Sequence, residues 1–553
     1  MRYLETSCPN AKVALTVVAV LLVAAAAGAT HPGTWTARED LPGERILTAD
    51  AEVNGIIYTI GGWAGDGDQV FDTVFAFDPV TNDWTTKTNM PTPRGQAAAA
   101  VVDGKIYVIG GAIDTDFTAS NMVEIYDPAS DSWEAGTDMP AARWSPAAVA
   151  VDGKIYVIGG GTGDVLGDWS VYSGVQVYDP AGDSWDTAAD MPTARANLSA
   201  SVVDSRIYAV GGLSESGFSP KLEVYDPATD SWTIAADMPT PRGSLATATV
   251  DGKVYAIGGL ASKGGNFASV AYEVEVYDPS NDSWEQSTRM PNARWGLGAA
   301  VVDDTIYLIG GGLTSTLGAC NYVDTYDPNL YTSWTEVAAH LPGAHGSQWR
   351  TDVCAANFTG ETANVELVLH ADTDDVHQEY TIDPSEQKCF TDVVGNMGIQ
   401  GKGTLEFRSD QPLYVVGRTF NDSGDGTFGQ FCQFQTMDDG FFKGDMEVKL
   451  IGLRQEEGLF RTNMTFANTG IREATLLVSL YRCSGELLHT LMVANLMPGE
   501  VQQKLEPFAI EGGEPNLGWG YAQVKVVEGA GVRISASVID SRTNDATTIV
   551  AER

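Results

Sequence analysis

The chain has 553 residues and a formal net charge of −40, from 73 acidic and 33 basic side chains. A surface of this sign repels nucleic acids and anionic membranes, so it argues against both as partners. Because 43% of the residues are hydrophobic and 19% are charged, the composition is that of a folded protein rather than of a disordered acidic segment.

The first 29 residues have the pattern of a secretory signal peptide. A basic N-terminal stretch precedes an apolar run over 13–27, and the tripeptide Ala-Gly-Ala at 27–29 supplies small residues for cleavage. The run is short for a membrane span, and an uncleaved N-terminal anchor is the alternative. We therefore expect a secreted, periplasmic or cell-surface protein with no membrane span after cleavage.

A phrase of about fifty residues recurs six times before residue 343. Each copy has an apolar strand that ends in Gly-Gly, a variable loop, a strand that ends in Asp-Pro, a Trp, and an arginine four residues after Met or Leu. The Gly-Gly pairs begin at positions 61, 110, 159, 211, 258 and 310. The tryptophans are Trp84, Trp133, Trp185, Trp232, Trp284 and Trp334.

Each repeat predicts four short antiparallel strands. Asp-Gly at 251–252 and its equivalents predict a two-residue hairpin turn, and DPASDSW-like phrases predict a second turn. One such sheet cannot bury both of its faces, whereas several sheets packed around an axis can. The strand rich in Ala, Ser and Gly is expected to lie nearest the axis.

The phrase pR…DGKIYVIGG…YDPxxxxW resembles the kelch repeat. The resemblance implies an all-β protein with a six-bladed kelch β-propeller over residues 30–345, and a seventh blade completed after residue 343 is the alternative. Trp35, followed by LPGER, has the pattern of a fourth strand without the preceding three. This strand either closes the ring by pairing with the last blade or forms a spare outer strand.

The repeated arginines open the innermost strand on the face that carries the variable loops. The sequence predicts that these six cations ring the mouth of the central channel and bind a carboxylate, sulfate or phosphate. In kelch proteins that capture acidic peptides, arginines at this position line the pocket. The alternative is a structural role between blades, because this arginine belongs to the kelch consensus itself. The six candidates are Arg45, Arg94, Arg143, Arg195, Arg242 and Arg294.

Aromatic side chains in the variable loops or beside the arginines form a second group of candidates. Exposed aromatics next to cations suit sugar stacking or a protein interface, and the alternative is that each plugs its loop onto the blade. The ligand-binding candidates are Trp63, Trp144, Trp169 and Trp295, with Phe117, Tyr172, Phe218 and Phe267 also in these loops.

Metal and disulfide patterns are weak. Acidic clusters at 66–68, 372–375 and 422–426 suggest calcium, but none matches a complete calcium-binding loop, so we assign no cofactor and no metal site. Five cysteines follow Cys8, an odd number, so at least one is expected to remain unpaired.

After residue 345 a second, weaker repeat begins. The segment QWRTDVCAANFTGETANVELVLH at 348–370 resembles LFRTNMTFANTGIREATLLVSLY at 459–481. Period-two apolar alternation and frequent turn signals predict two β-sandwiches, immunoglobulin-like in architecture, over 346–447 and 448–553.

Together these features predict a secreted binding protein rather than an enzyme. We expect an acidic glycan, an acidic peptide or a partner protein on the variable-loop face. The alternative is a carbohydrate-active enzyme similar to the sialic-acid mutarotases, which are six-bladed kelch proteins. Galactose oxidase also joins a kelch propeller to an immunoglobulin-like domain, but its copper site needs two His, and residues 45–334 contain none.

Overall fold

The computed structural model describes residues 33–65, 69–163, 169–262, 268–314, 318–342, 348–371, 375–398, 401–422, 427–433, 448–455, 460–482, 486–505, 507–510, 513, 518–529, 532–540 and 546–550. The predicted signal peptide, residues 1–29, lies outside these ranges. The described residues form antiparallel sheets almost throughout, and the predicted all-β fold of a six-bladed propeller followed by two β-sandwiches is confirmed. No α-helix in the described part of the chain is long and apolar enough to cross a bilayer.

Six four-stranded antiparallel sheets form the blades, with strands numbered in chain order and given from the axis outward. Blade 1 is Ala49–Val53 (β2), Ile56–Ile60 (β3), Val74–Asp78 (β4) and Asp83–Lys87 (β5); blade 2 is Ala98–Val102 (β6), Lys105–Ile109 (β7), Val123–Asp127 (β8) and Ser132–Ala135 (β9); blade 3 is Ala147–Val151 (β10), Lys154–Ile158 (β11), Val175–Asp179 (β14) and Ser184–Ala188 (β15). Blade 4 is Ser199–Val203 (β16), Arg206–Val210 (β17), Leu222–Asp226 (β20) and Ser231–Ile234 (β21); blade 5 is Ala246–Val250 (β23), Lys253–Ile257 (β24), Val274–Asp278 (β27) and Ser283–Gln286 (β28); blade 6 is Gly298–Val302 (β29), Thr305–Ile309 (β30), Val323–Asp327 (β31) and Thr34–Ala37 (β1).

Within the described parts of the variable loops there are seven very short strands. They are Gly161–Gly163 (β12), Trp169–Val171 (β13), Leu213–Ser214 (β18), Gly217–Phe218 (β19), Arg242–Gly243 (β22), Leu260–Ser262 (β25) and Ala268–Val270 (β26). They pair with one another above the blades, so the variable-loop face carries a second layer of small sheets.

The innermost strands are β2, β6, β10, β16, β23 and β29, as their small residues predict. In β2 and its equivalents the first, third and fifth side chains pack between blades, while the second and fourth are more exposed and face the central channel. Small residues suit this position because six strands converge there and large side chains would clash.

The N-terminal strand closes the ring. β1 pairs antiparallel with β31, with Trp35 opposite Tyr326. Trp35 Nε1 donates to the Thr288 carbonyl oxygen at 3.3 Å, as Trp133 Nε1 donates to the Thr88 carbonyl oxygen at 2.9 Å in the second blade. Ring closure by Trp35 is therefore confirmed, and a spare outer strand and a seventh blade are both wrong.

Trp334 lies in a different sheet from the one expected. Its strand, Tyr331–Pro342, pairs with Gly401–Ser409 in the first sandwich. The last propeller strand in sequence ends at Asp327, so the boundary predicted at residue 345 lies one strand too late. The segment DPNLYTSW resembles the repeated DPxxxxW phrase, but Trp35 already occupies the outer-strand position of blade 6.

Two β-sandwiches follow, and the described residues of each form eight strands and one short helix. The first comprises Tyr331–Pro342 (β32), Gln348–Asn357 (β33), Ala363–Ala371 (β34), Val376–Ile382 (β35), Gln387–Phe390 (β36), Val393–Asn396 (α1), Gly401–Ser409 (β37), Leu413–Asp422 (β38) and Thr427–Gln433 (β39). The second comprises Val448–Gln455 (β40), Phe460–Asn468 (β41), Ala474–Arg482 (β42), Leu487–Leu496 (β43), Val501–Leu505 (β44), Pro507–Ile510 (α2), Gly518–Glu528 (β45), Val532–Asp540 (β46) and Ala546–Val550 (β47).

The two sandwiches share one strand order, in agreement with the weak sequence repeat. The sheets are β35-β34-β37-β32 with β36-β33-β38-β39, and β43-β42-β45-β40 with β44-β41-β46-β47. In each, the first strand pairs with the sixth, and in the first sandwich the end of β32 also pairs with the second strand, β33. The sandwich prediction holds, and the immunoglobulin-like architecture stays a prediction. A disulfide between Cys354 and Cys389 joins β33 to β36, and Cys320 is a buried free thiol.

The second sandwich contacts the last propeller blade through Arg472 and its neighbour Ile471. Arg472 lies 2.8 Å from a carboxylate oxygen of Asp40 and 3.0 Å from one of Asp324, and its guanidinium lies 4.0 Å from the ring centre of Tyr322. The neighbouring Ile471 packs against the core between blades 5 and 6. This contact holds the second sandwich against the blade that the N-terminal strand completes.

Replacing Trp35 by Ala should destabilise the propeller by about 3–5 kcal/mol, because a buried indole and its hydrogen bond are lost at the ring closure. Hydrogen exchange should show the largest gain in β29, β30 and β31, with much smaller changes in blades 2 and 3. Equal exchange gains in all six blades, or an unchanged melting temperature, would contradict this closure.

Candidate functional site

All six repeated arginines are buried. Their exposed fractions lie between 0% and 8%, so the predicted ring of exposed cations at the channel mouth is not formed. Repetition in the sequence located these side chains correctly at the start of each blade, but their guanidinium groups point into the blades. The residues concerned are Arg45, Arg94, Arg143, Arg195, Arg242 and Arg294.

Arg242 shows how such a guanidinium is held. It donates to the carbonyl oxygens of Gly258 and Glu273 and to a carboxylate oxygen of Glu275, at 2.8–2.9 Å. Burial lowers the pKa of Arg242, and the adjacent Glu275 carboxylate acts against that shift. The same carboxylate contact recurs as Arg94–Glu124, Arg195–Glu223 and Arg294–Asp324, at 2.6–2.8 Å.

Each arginine also joins its blade to the preceding one through the backbone. The Arg94 carbonyl oxygen accepts from Gly62 N of blade 1, while Arg94 Nη1 donates to Gly110 O of blade 2. The backbone bond recurs at all six junctions and ends with Gly311 N donating to the Arg45 carbonyl oxygen. A Cβ atom on Gly61 would lie 2.3 Å from the Arg94 carbonyl oxygen, so the repeated Gly-Gly is required by this approach.

A threonine accompanies the buried carboxylate in three blades. Thr240, two residues before Arg242, donates to the second carboxylate oxygen of Glu275 at 2.7 Å. Thr92 and Thr193 do the same for Glu124 and Glu223.

Where the threonine is absent, the arginine or its acid has different partners. Blade 3 has Ala141 and Gln176 in the two positions, and Arg143 bonds two glycine carbonyls and lies 4.7 Å from the ring centre of Tyr172. In blade 1 the guanidinium of Arg45 packs on the Phe71 ring.

Three of the four candidate tryptophans also have packing roles. Trp144 and Trp295 lie over Gly161 and Gly312, and Trp63 lies over Gly95 of the next blade; a Cβ on any of these glycines would come within 2.4 Å of the indole. All three indoles are at most 8% exposed. The fourth candidate, Trp169 in β13, is only partly buried, so it remains accessible to a ligand.

These indoles form part of an apolar collar on the variable-loop face. Phe117 extends it by packing on Trp63, with ring centres 4.6 Å apart. We define the apolar collar as the buried residues Ile46, Trp63, Ala112, Trp144, Ala196 and Trp295 with the partly buried Leu47, Val70, Phe117, Ala119, Trp169, Val171, Leu260, Val270 and Ala319.

Inside the apolar collar, a closed ring of six backbone hydrogen bonds surrounds the channel mouth. The residue two positions after each repeated arginine donates its backbone N–H to a carbonyl oxygen of the preceding blade, at 2.7–3.2 Å. The acceptor is the residue at the same repeat position in that blade. All six residues have left-handed φ angles of 46–59°. They are Leu47, Gln96, Ser145, Asn197, Ser244 and Gly296.

Below this ring lies a channel cavity of about 340 Å³, lined mainly by Ala and Val. Its two charged lining residues, Asp50 and Glu52, both come from blade 1. Asp50 accepts hydrogen bonds from the hydroxyls of Thr48 and Thr59 at 2.6 and 2.7 Å. Burial raises the pKa of Asp50 to about 6, and the two hydroxyl hydrogen bonds act in the opposite direction.

Asp50 was missed in the sequence because it is one of many acids. Aligning the repeats would have singled it out, since the equivalent residues of the other five blades are uncharged: Ala99, Ala148, Ala200, Thr247 and Ala299. The signal for a site would have been a single carboxylate at a repeat position whose side chain faces the channel axis.

Some sequence candidates lie outside the described residues. They are Phe267, the acidic clusters at 66–68 and 372–374, and residues 423–426 of the third cluster. Among the described residues, no three His, Cys, Asp or Glu side chains group in the manner of a metal site.

Replacing Arg242 by Met should cost about 3–5 kcal/mol of folding stability, because Glu275 would be left as a buried, unpaired charge. Arg143→Met is the matched control. Its blade has Gln176 in place of the acid, so the loss should be nearer 1–3 kcal/mol. Denaturant unfolding of both variants measures the difference, and equal losses would argue against the buried ion pair.

Comparison with a protein-family model agrees with this architecture. The model of the KLHDC2/KLHL20/DRC7 Kelch-repeats domain matches residues 33–191 and 184–311, which together span about half of the chain. Kelch-like protein 25 of Xenopus tropicalis is 34% identical over 82 residues, a match that spans 13% of this chain and 14% of the relative. A solved structure, that of YjhT, shares 18% identity with a TM-score of 0.46 and covers 53% of this chain and 96% of that chain. Because the family model matches about half of the chain, from the ring-closing strand into blade 6, the chain belongs to the kelch-repeat family.

Proposed function

We propose that this protein binds a partner protein through the apolar collar and the channel mouth, outside the cytoplasm. The kelch propeller supports a binding or interaction role in general. The observation that carries the specific proposal is that loops from several blades converge in one apolar cluster around the channel mouth, with Phe117 and Trp169 only partly buried. Half-exposed aromatic side chains around a central depression are the usual anchors of protein interfaces.

The buried arginines change the expected ligand. An acidic glycan or acidic peptide was expected because six cations were placed at the mouth, but those guanidinium groups are held by carbonyls and carboxylates within the blades. An acidic ligand therefore has no repeated cation to bind there. A polypeptide with apolar side chains fits the apolar collar better.

An extracellular location is part of the proposal. It is supported by the signal-peptide pattern in the sequence and by the Cys354–Cys389 disulfide, since disulfides persist mainly in oxidising compartments. A carbohydrate-active enzyme remains the second candidate. It is favoured by the Asp50 carboxyl, whose pKa of about 6 suits proton transfer near neutral pH.

The test is a screen of the chain from residue 30 against a displayed peptide library and an array of neutral and acidic glycans. We expect peptide binders, and the Phe117→Ala/Trp169→Ala double variant should weaken them at least roughly tenfold, as loss of two aromatic anchors does. The affinity of purified peptides is measured by calorimetry.

The matched control is Val80→Ala. Val80 is 93% exposed, and it lies in the β4–β5 turn on the opposite face of the propeller. Peptides that lose affinity equally in both variants, or a screen in which only acidic glycans bind, would contradict the proposal.

A further inference from the structure

Blade 1 departs from the other blades at several positions that meet around one carboxylate. Asp50 stands where the other blades have Ala or Thr. Its partner Thr59, 1% exposed, stands in a buried position filled elsewhere by Val108, Val157, Ala209, Ala256 and Leu308. Its second partner, Thr48, stands where the other blades have Ala97, Pro146, Leu198, Leu245 and Leu297.

The neighbouring blade makes room for this carboxylate. Gly298 opens β29, whereas every other innermost strand begins with Ala or Ser. A Cβ atom at Gly298 would lie 2.0 Å from Asp50 Oδ2. Four departures from the repeat, on three strands and one loop, thus serve a single side chain that lines the channel.

Among the described residues, no cationic side chain pairs with the Asp50 carboxylate. The hydrogen-bond donors to it are neutral hydroxyls, and the innermost strands of the other five blades line the cavity with Ala, Val, Ser and Thr. Glu52, the second charged group of the lining, accepts a hydrogen bond from Gly55 N at 2.6 Å and lies toward the opposite end of the channel. Burial of an ionised carboxylate without a counter-charge is costly, and a bound cation would offset that cost.

A second unmatched acceptor lies at the mouth. Gln96, in the ring of six backbone hydrogen bonds, is 9% exposed, and its Oε1 has no hydrogen-bond partner among the described residues. The adjacent Gly95 lies under Trp63, so this acceptor belongs to the same blade 1–2 side of the channel as Asp50.

From this arrangement we infer that the channel mouth takes a cationic side chain of the bound partner, an ammonium or guanidinium group that reaches the Asp50 carboxylate. The inference rests on the proposed function and reverses the charge expected of the ligand. The cavity of about 340 Å³ is large enough for a lysine or arginine side chain. The partner residues on either side of that cation would then pack on the apolar collar. The acidic surface would also steer a basic segment toward the propeller.

The probes are n-butylammonium and its uncharged analogue n-butanol, titrated into the full mature chain in buffer with about 150 mM salt to screen the general surface charge. At pH 7.5, n-butylammonium should bind the parent protein at least roughly tenfold more tightly than Asp50→Asn, and n-butanol should not distinguish the two. Glu134→Gln, on an exposed outer strand, is the control for loss of one surface charge.

The pH dependence separates Asp50 from the other carboxylates. With a pKa of about 6, Asp50 is ionised at pH 7.5 and mostly protonated at pH 5, so affinity should fall by roughly tenfold over this interval. The probe keeps its charge throughout, and the Asp50→Asn variant, which has no ionisable group at this position, should not show the fall.

A second variant keeps the carboxylate and changes only its support. Thr59→Val introduces the residue found in blades 2 and 3 and removes one hydrogen bond to the ionised form, so the midpoint of the pH profile should move upward. Equal affinity in the parent and in Asp50→Asn, or an affinity that does not change between pH 5 and 7.5, would overturn the inference.

The two proposals fail differently. Peptides that need Phe117 and Trp169 but bind Asp50→Asn unchanged would leave the proposed function standing and remove the cationic contact. Ammonium binding that depends on Asp50, together with peptides that bind the Phe117→Ala/Trp169→Ala variant unchanged, would contradict the proposed function and leave the cation contact at Asp50 standing.

Discussion

The propeller depends on one repeated contact, in which the carbonyl of an arginine bonds the Gly-Gly corner of the preceding blade. In blades 2 to 6 the guanidinium of the same arginine also bonds the Gly-Gly corner of its own blade. A single residue therefore sets the distance between neighbouring sheets. Because six such junctions must close on themselves, an error at any one of them strains the whole ring. A buried carboxylate beside four of the guanidinium groups balances their charge, which a low-dielectric interior requires.

In two blades, a departure from this repeat creates a contact or a polar group that the other blades lack. In blade 6, Asn292 replaces the threonine that elsewhere bonds the acid, and the second oxygen of Asp324 accepts Arg472 from the second sandwich instead. In blade 1, Phe75 stands where four of the other blades have the acid that pairs with the arginine, and a different carboxylate, that of Asp50, faces the channel beside two threonines. The first departure attaches the sandwich to the propeller, and the second makes one side of an otherwise six-fold channel polar.

Much of the fold was readable from the sequence because the repeat signals backbone geometry directly. The Asp-Gly turns, the Gly-Gly pairs and the small residues of the innermost strands each require a particular position, and the lone Trp35 indicated its own ring closure. The direction of the arginine side chains could not be predicted from the sequence, because an arginine at a repeated position gives the same sequence pattern whether its guanidinium faces a blade or the channel. Trp334 misled because its local phrase copies the repeat. The strand order of the sandwiches was also hidden, because alternation shows which face is buried and not which strand lies alongside.

The most direct test of this account is a double-mutant cycle on Arg195 and Glu223, whose side chains are at most 1% exposed and lie 2.8 Å apart. Each is replaced by Met, singly and together, and the free energy of unfolding is measured in denaturant. Each single change should cost about 3–5 kcal/mol, while the double change should cost clearly less than their sum, because neither charge is then left alone. Additive losses, or single changes that cost under about 1 kcal/mol as exposed ion pairs do, would contradict a propeller held together by its repeated arginines.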